Sequence, residues 1–427
     1  MEAVESVGKK APLKRPTVWR SILLFLSIVG PGIITANLDN DAGGIGTYSQ
    51  AGAQFGYGFL WLLIPVTLAL IFVQEMCIRM GVVTGKGLAD LIRERFGVRL
   101  TLFLMIGVTV DNLFTTVAEF AGVGASADIF HISRYAAVPV AAIFVALLVL
   151  RGDYKAVEKV FLAACAVYVT YIVSGLLAHP DWHAVARATF VPHVSSSTAY
   201  ILMFLGVVGT TITPWMQFYI QSSVVEKGVK VRELRYSQID VVTGCFITDI
   251  VAYFIIVACG ATLYAHNIHN ITDGAQAAQA LAPLAGKYAS LLFAVGLLNA
   301  SLFSASVLPQ SLSYTVCEAF GFESGVGKTL KEAPVFYGLY LSIIVLGALP
   351  ILIPRAPLFA IIFYSQVVSG ILIPAVIISM LILINDRGLM GRYTNGPVYN
   401  VVCWACASAL IAATALYLIA TVAHAGA

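Results

Sequence analysis

Residues 30–54 read GPGIITANLDNDAGGIGTYSQAGAQ. They belong to an apolar segment that starts near residue 21 and is long enough to cross a bilayer, which takes roughly 20 mostly apolar residues as a helix. Yet its centre, Asn37 to Gly46, holds two Asn, two Asp and three Gly, a poor helix-forming set. In hydrocarbon, unwound backbone is tolerated only where protein or a water-filled cavity covers it. The segment is therefore expected to be two half-helices with a break near Asp39–Gly44. The break would expose carbonyl oxygens beside the Asp41 carboxylate, and these are hard oxygen ligands for a cation. The competing reading is a Gly-rich packing kink with an ion-paired Asp. Against it, no Lys or Arg stands in the middle of any span.

The rest of the chain supports a membrane setting. Of 427 residues, 11% are charged and 59% hydrophobic. Soluble domains average about 25% charged residues, so the deficit argues against a soluble enzyme, a nucleic-acid binder and a disordered protein together. A net charge of +3 is too small to suggest a polyanionic partner, and the expected partners are the lipid bilayer and a transported ion. The polar, basic first 18 residues, followed by an apolar run longer than a signal h-region, read as an uncleaved start. All seven cysteines lie in apolar stretches and read as small hydrophobes. Cys403 and Cys406 form a C-x-x-C with no βαβ pattern around it, a weak redox signal.

Eleven segments qualify as spans: about 21–54, 58–80, 100–130, 135–150, 156–178, 199–225, 238–264, 287–318, 335–353, 357–384 and 399–423. With the N-terminal tail (1–20) in the cytoplasm, the basic residues of that tail and of the even-to-odd loops all fall inside. Of the 25 Lys and Arg, only Arg134, Arg187, Lys287 and Arg355 fall outside. This is the bias of the positive-inside rule, and it places the C-terminus outside in a multi-pass protein of the cell membrane. All seven histidines lie in external loops or the external tail. His179, His183, His266 and His269 are candidates for a weak metal-collecting role there, against the simpler reading of solvated loop residues.

A carboxylate at membrane depth costs about 2.5–3.5 kcal/mol on insertion scales and is a functional hypothesis by default. Asp39, Asp41, Asp111, Glu119 and Asp249 pass that filter. Glu75 and Asp240 sit near cytoplasmic span ends. Span 6 supplies a second break: Gly206, Gly209, Thr210, Thr211 and Thr213 precede Pro214, which removes a backbone donor and disrupts the helix before it. Interrupted helices at matching places in two halves point to the central site of a secondary transporter. Spans 1–5 (21–178) and 6–10 (199–384) would be inverted repeats, with span 11 (399–423) appended. Gln366 in span 10 needs a buried partner, which a central cavity would supply. The polar run of span 8 (Asn299, Ser301, Ser304, Ser306, Gln310) reads equally as a water path or as helix-packing glue.

QAGAQFGYGFLW (50–61), RMGVVTGKGLADLI (79–92), VAEFAG in span 3, Gln238–Asp240 and SQVV in span 10 resemble the Nramp family of divalent-metal transporters over most of the chain. The resemblance implies an all-α LeuT-type fold with alternating access. The family's span-1 motif Asp-Pro-Gly-Asn is here Asp41-Ala42-Gly43-Gly44, so the metal-binding Asp is kept and the Asn ligand becomes Gly44. The family's span-6 motif Ala-x-x-Met-Pro-His is here Thr210-Thr211-Ile212-Thr213-Pro214-Trp215, so the thioether becomes Thr213 and the His becomes Trp215. The span-3 Asp implicated in proton movement aligns with Thr116, while Glu119 remains.

Thioethers favour softer transition metals, whereas hydroxyl, carbonyl, carboxylate and water favour Mg²⁺, Ca²⁺ and Mn²⁺. Mg²⁺ keeps several waters and is bound by one or two carboxylates. The sequence thus looks like the Nramp-related magnesium transporter branch: a carrier importing Mg²⁺, with Mn²⁺ second, without proton coupling and without a resident cofactor. Asp41 is the expected anionic ligand. Thr213 and the Thr210 carbonyl are expected to add oxygens, and Gln366 to complete the site directly or through water. Asp39 and Asn40 would attract or orient the hydrated ion. Open alternatives are a proton-coupled Mn²⁺/Fe²⁺ symporter, an amino-acid or amine symporter of the same fold, and a channel. An intramembrane enzyme lacks any H-E-x-x-H motif or span histidine.

Overall fold

The computed structural model describes residues 38–150 and 165–425. The tail (1–20), most of the first half of span 1 and the start of span 5 lie outside the described residues. All regular structure among the described residues is helical. We label the principal helices α1 (Ala42–Phe55), α2 (Leu60–Thr84), α3 (Leu88–Ile129), α4 (Arg134–Leu150), α5 (Val169–Leu177), α6 (Trp182–Phe190), α7 (Thr198–Thr211), α8 (Pro214–Glu226), α9 (Leu234–Thr262), α10 (Ala289–Phe320), α11 (Pro334–Ala348), α12 (Leu358–Ile384) and α13 (Pro397–Ala425). Span 1 contributes α1, span 6 contributes α7 and α8, and spans 7 to 11 contribute α9 to α13. Among the described residues, eight helices are long and apolar enough to cross a membrane, and spans 4 and 5 appear as shorter apolar helices.

Helix ends follow local chemistry. α2 stops at Gly85, a left-handed residue at φ 67 whose amide bonds back to Gly81 O. Gly97, at φ 77, interrupts α3, separating the charged turn Leu88–Phe96 from the apolar span that starts near residue 100. Beyond it Phe103, Ile106, Val110 and Phe114 form an exposed apolar stripe at helical spacing, a surface suited to lipid. On α9 the polar Ser237, Asp240, Thr248 and Asp249 are buried while Ile239, Phe246, Ile247 and Ile250 are exposed. That polarity is inverted relative to a soluble helix, as expected where the solvent is hydrocarbon.

Both breaks are present. In span 1, helix ends at Asp39, Asn40 forms a turn, Asp41 is the bend and α1 starts at Ala42. The break is narrower than the expected Asp39–Gly44: Gly43 and Gly44 are already helical and buried. The reason is local, since Asp41 caps α1 by accepting from the Gly44 amide at 2.8 Å, so the first helical turn closes at once. In span 6, α7 ends at Thr211, Ile212 leaves the helical region at φ −120, ψ 75, Thr213 is extended, and Pro214 starts α8. Pro214 thus nucleates the second half-helix, where its missing N–H costs nothing.

The two breaks are held together by α12. A Cβ on Gly209 would lie 2.0 Å from Gln366 O and 2.4 Å from Gly370 N, and one on Gly370 would lie 2.2 Å from Leu205 O. The α7 and α12 backbones therefore touch through small residues, the usual way that helices approach closely in a membrane. The α3 helix packs on α10, α11 and α12, and α9 packs on α1 and α2. Near the end of α2, Glu75 pairs with Arg79 at 3.0 Å and accepts from Gln238 Nε2 at 2.7 Å. Arg79 also donates to the carbonyls of Tyr393 and Thr394, so Glu75 is structural, joining span 2 to span 7 and to the 10–11 loop.

Gly209→Ala should force the two backbones apart. We expect a loss of about 1–3 kcal/mol, read as a lower thermal transition of the purified protein, together with impaired transport; an unshifted transition would show that the contact is slack.

Candidate metal site at the paired helix breaks

Asp41 sits at the N-terminus of α1, 4% exposed. One carboxylate oxygen caps Gly44, and the carboxyl lies within hydrogen-bonding reach of Glu119 on α3. Glu119 Oε2 in turn accepts from the Ala42 amide at 3.3 Å. The positive end of α1 is thus covered by two carboxyls, the favourable sense of the helix dipole. Two carboxyls in contact also need a proton or a cation between them. None of the ion pairs among the described residues involves Asp39, Asp41, Asp111, Glu119 or Asp249, so no Lys or Arg fills that role.

Gln366 reaches the same place. A Cβ on Gly43 would lie 2.1 Å from Gln366 Nε2 and 3.0 Å from Asp41 Oδ1. The absence of a side chain at Gly43 is what lets the amide lie beside the carboxylate. Gln366 Nε2 donates to Ser365 Oγ at 3.0 Å, which orients the head group. The span-6 break joins through Thr211, whose hydroxyl meets Tyr48 OH of α1 at 2.7 Å. The last carbonyls of a helix have no partner within it, and those of α7, Thr210 among them, carry the negative end of its dipole. Thr210 Oγ1 and Thr213 Oγ1 are buried without hydrogen-bond partners, the state expected of oxygens kept for a ligand or its water.

The remaining expected residues divide. Gly44 enters through its amide, as the cap of Asp41. Asp39 is turned to α9, within hydrogen-bonding reach of Thr248 and electrostatic reach of Asp249. Asp111 of α3 accepts from Ser369 Oγ at 2.6 Å and from the Trp215 amide, so it holds α12 and α8 to the scaffold. Trp215 is buried, and its carbonyl accepts from Ser311 Oγ of α10 at 3.1 Å. In the span-8 run, Ser306 and Gln310 bond to their own helix, while Ser301 and Ser304 have unpartnered buried hydroxyls. The loop histidines do not assemble: His266 bonds Thr262 O, His269 meets Ala53 O, and no group of three His, Cys, Asp or Glu converges among the described residues. Tyr48, Gly43 and Ser365 escaped the sequence reading. Tyr48 had a visible signal, a phenol seven residues, two turns of helix, beyond Asp41 in the same span.

Two half-helix breaks come together, with a buried carboxylate at one and helix-end carbonyls at the other, the arrangement of broken-helix membrane proteins of the LeuT type. The chain belongs to the Nramp family: the model for natural resistance-associated macrophage protein-like sequences matches residues 32–421. It is 27% identical over 407 residues to the divalent metal cation transporter MntH of Deinococcus radiodurans, covering 92% of this chain and 89% of that protein. MntH of Acidiphilium cryptum is 29% identical over 390 residues, covering 87% and 85%. Among solved structures, the manganese transporter of Eremococcus coleocola superposes with a TM-score of 0.75 at 21% identity, covering 96% of this chain and 88% of that one. A nucleobase-cation-symport-1 family transporter superposes at 0.58 and 16% identity, covering 92% of each; it shares the fold.

Gln366→Ala removes a head group bonded only to the neighbouring Ser365 hydroxyl, so we expect the fold to survive and Mn²⁺ binding to weaken by about 10-fold, within the range for groups that orient ligands. Equilibrium Mn²⁺ titration of the purified variant checks this; unchanged binding would remove Gln366 from the site.

Proposed function

We propose that the protein imports divalent metal ions by alternating access, Mg²⁺ first and Mn²⁺ second, down their electrochemical gradient and without proton coupling. The observation that carries this reading is the donor set. Asp41, the α7 carbonyls and the unpartnered hydroxyls of Thr210 and Thr213 are all hard oxygens, the Gln366 amide adjoins them and would offer its oxygen by a flip of the head group, and Thr213 and Trp215 stand where the family motif has Met and His. Hard donors with room for water suit an ion that sheds its hydration shell reluctantly. The divalent-cation and manganese transport named for the relatives supports the substrate class. Residues 21–178 and 199–384 are the two repeats in this reading, with the N-terminus in the cytoplasm and the C-terminus outside.

One observation favours a second reading, the proton-coupled Mn²⁺ symport of a standard family member. The Asp41–Glu119 contact needs a proton or a cation, and a metal arriving at Asp41 would displace that proton. The two readings separate in proteoliposomes loaded with a pH-sensitive dye. Uptake of Mg²⁺ and Mn²⁺ without internal acidification is expected, and Asp41→Ala should abolish it. Acidification in step with metal entry would establish the symport reading, and normal uptake by Asp41→Ala would sink both.

Selectivity supplies a further test. The structure makes Gly44→Asn a poor probe, because a Cβ there would lie 2.3 Å from Asp39 O. Thr213→Met alone is cleaner. It should shift the Mg²⁺-to-Cd²⁺ preference toward Cd²⁺ by about tenfold or more, the sense dictated by a thioether; competition of the two ions in the uptake assay measures it.

A further inference from the structure

A second group of buried polar atoms adjoins the span-1 break. It is built from α9 and α2 instead of α7 and α12. Asn40 Nδ2 donates to Thr248 Oγ1 at 2.7 Å and lies 3.4 Å from the Thr248 carbonyl. This fixes the Asn40 head group at the turn of α9 that carries Asp249. Asp39 lies against the same turn, within hydrogen-bonding reach of Thr248 and in electrostatic contact with Asp249. The Thr67 hydroxyl of α2 adjoins Asp249, but its proton is committed to Leu63 O at 2.6 Å.

The outcome is a set of acceptors that outnumber the available donors. Asp39 Oδ1, Asn40 Oδ1 and both Asp249 carboxylate oxygens are buried without hydrogen-bond partners, on side chains 3%, 2% and 6% exposed. Buried oxygens left unmatched cost free energy, and among the described residues no Lys or Arg pairs with either acid. A proton between the two carboxyls would still leave the Asn40 oxygen without a donor. A cation, unlike a single proton, can be shared among several such oxygens. Cys245, one turn before Asp249, is not part of this set, since its thiol is directed to Gln74 Oε1 at 3.6 Å. Two carboxylates, an amide oxygen and hydroxyl oxygens are hard ligands too few to strip a small ion, the arrangement that suits partly hydrated Mg²⁺.

We propose that Asp39, Asn40 and Asp249 form a second divalent-cation site, separate from the Asp41 site, that takes a partly hydrated Mg²⁺ or Mn²⁺ ion on its way to or from Asp41. The proposal rests on the metal-transport reading above. It gives Asp39 and Asp249 a shared role, whereas the Asp41 site draws on α3, α7 and α12. The Asp39 and Asp41 carboxylates are also in electrostatic contact, so two ions held at once would repel. The second site therefore fills best when the Asp41 position is empty or disabled.

Counting Mn²⁺ bound to the purified full-length protein by electron paramagnetic resonance tests this. Asp41→Asn should keep one Mn²⁺ per chain, displaceable by Mg²⁺. That ion should be lost, or bound at least about tenfold more weakly, in both Asp41→Asn/Asp249→Asn and Asp41→Asn/Asp39→Asn, each judged folded by its thermal transition. Using two double variants keeps the test open should one of them misfold. If Asp41→Asn binds no Mn²⁺ while the wild type binds one, the second site falls and the Asp41 reading stands. If Asp41→Asn binds Mn²⁺ that both double variants retain unchanged, the ion lies elsewhere and the proposal fails. If the wild type itself binds none, both readings fail.

Discussion

A carboxylate buried in the middle of a membrane protein with no basic partner must be neutralised by something else, and the architecture around Asp41 follows from that constraint. An ion pair would have made Asp41 a structural residue, as it makes Glu75 one through Arg79. Instead Asp41 is met by backbone amides, by the Gln366 amide and by a second carboxyl, Glu119. Amides stabilise a carboxylate without cancelling its charge. The residual negative field can then be balanced by an ion that comes and goes, which a fixed Lys or Arg would prevent.

Broken backbone serves the same end from both sides. The α1 amides would repel a cation, and the carboxyls of Asp41 and Glu119 screen them. The α7 terminus presents carbonyls, which attract one. Opposite helix ends thus meet where a cation needs ligands, and each break is tolerable because protein covers it. Their alignment depends on the α7–α12 crossing, where Gly209 and Gly370 bring backbones into contact and carry Gln366 to the site. The glycines of this chain therefore act on the metal chemistry through distance alone.

Much of this was legible in the sequence, for identifiable reasons. Breaks announce themselves because Asn, Asp, Gly and Pro are costly inside a span, so Asp41 and Thr213 stood out against an apolar background. Helix limits were legible to within a few residues because hydrocarbon imposes length. The exact extent of the span-1 break was not, since it depends on whether Asp41 turns back to cap Gly44, a rotamer choice that composition does not encode. Nor was the pairing of Asp39 with Asp249, which are separated by six spans and meet only because α9 packs on α1. The spacing of Tyr48 from Asp41 was visible, but its partner was not: a tyrosine in a span is ordinary until the neighbouring helix places Thr211 beside its hydroxyl. Long-range partners require the topology, whereas local cost does not.

The same contacts bear on the fate of a proton released at the site. If a metal displaces a proton from the Asp41–Glu119 pair, that proton needs a chain of acceptors to leave by. Along α3 the next carboxylate is Asp111, two turns away, and it is engaged by Ser369 and by the Trp215 amide. Between them stands Thr116, where the family has an acidic residue, and its hydroxyl is committed to Asn112 O at 2.7 Å. On the span-6 side an indole occupies the position of the family's imidazole, and an indole N–H donates but cannot accept. Toward Asp111 and Trp215, a proton at Glu119 thus meets groups already engaged or unable to accept, while the unpartnered Ser301 hydroxyl lies on the α10 side, near Gly122 and Ala42. On the proposed reading, a proton confined in this way would stay with the pair and let Asp41 face the metal as a single anion. On the uncoupled reading proposed above, coupling would be weakened less by the loss of a proton-binding group at the site than by the interruption of the groups that would carry the proton away.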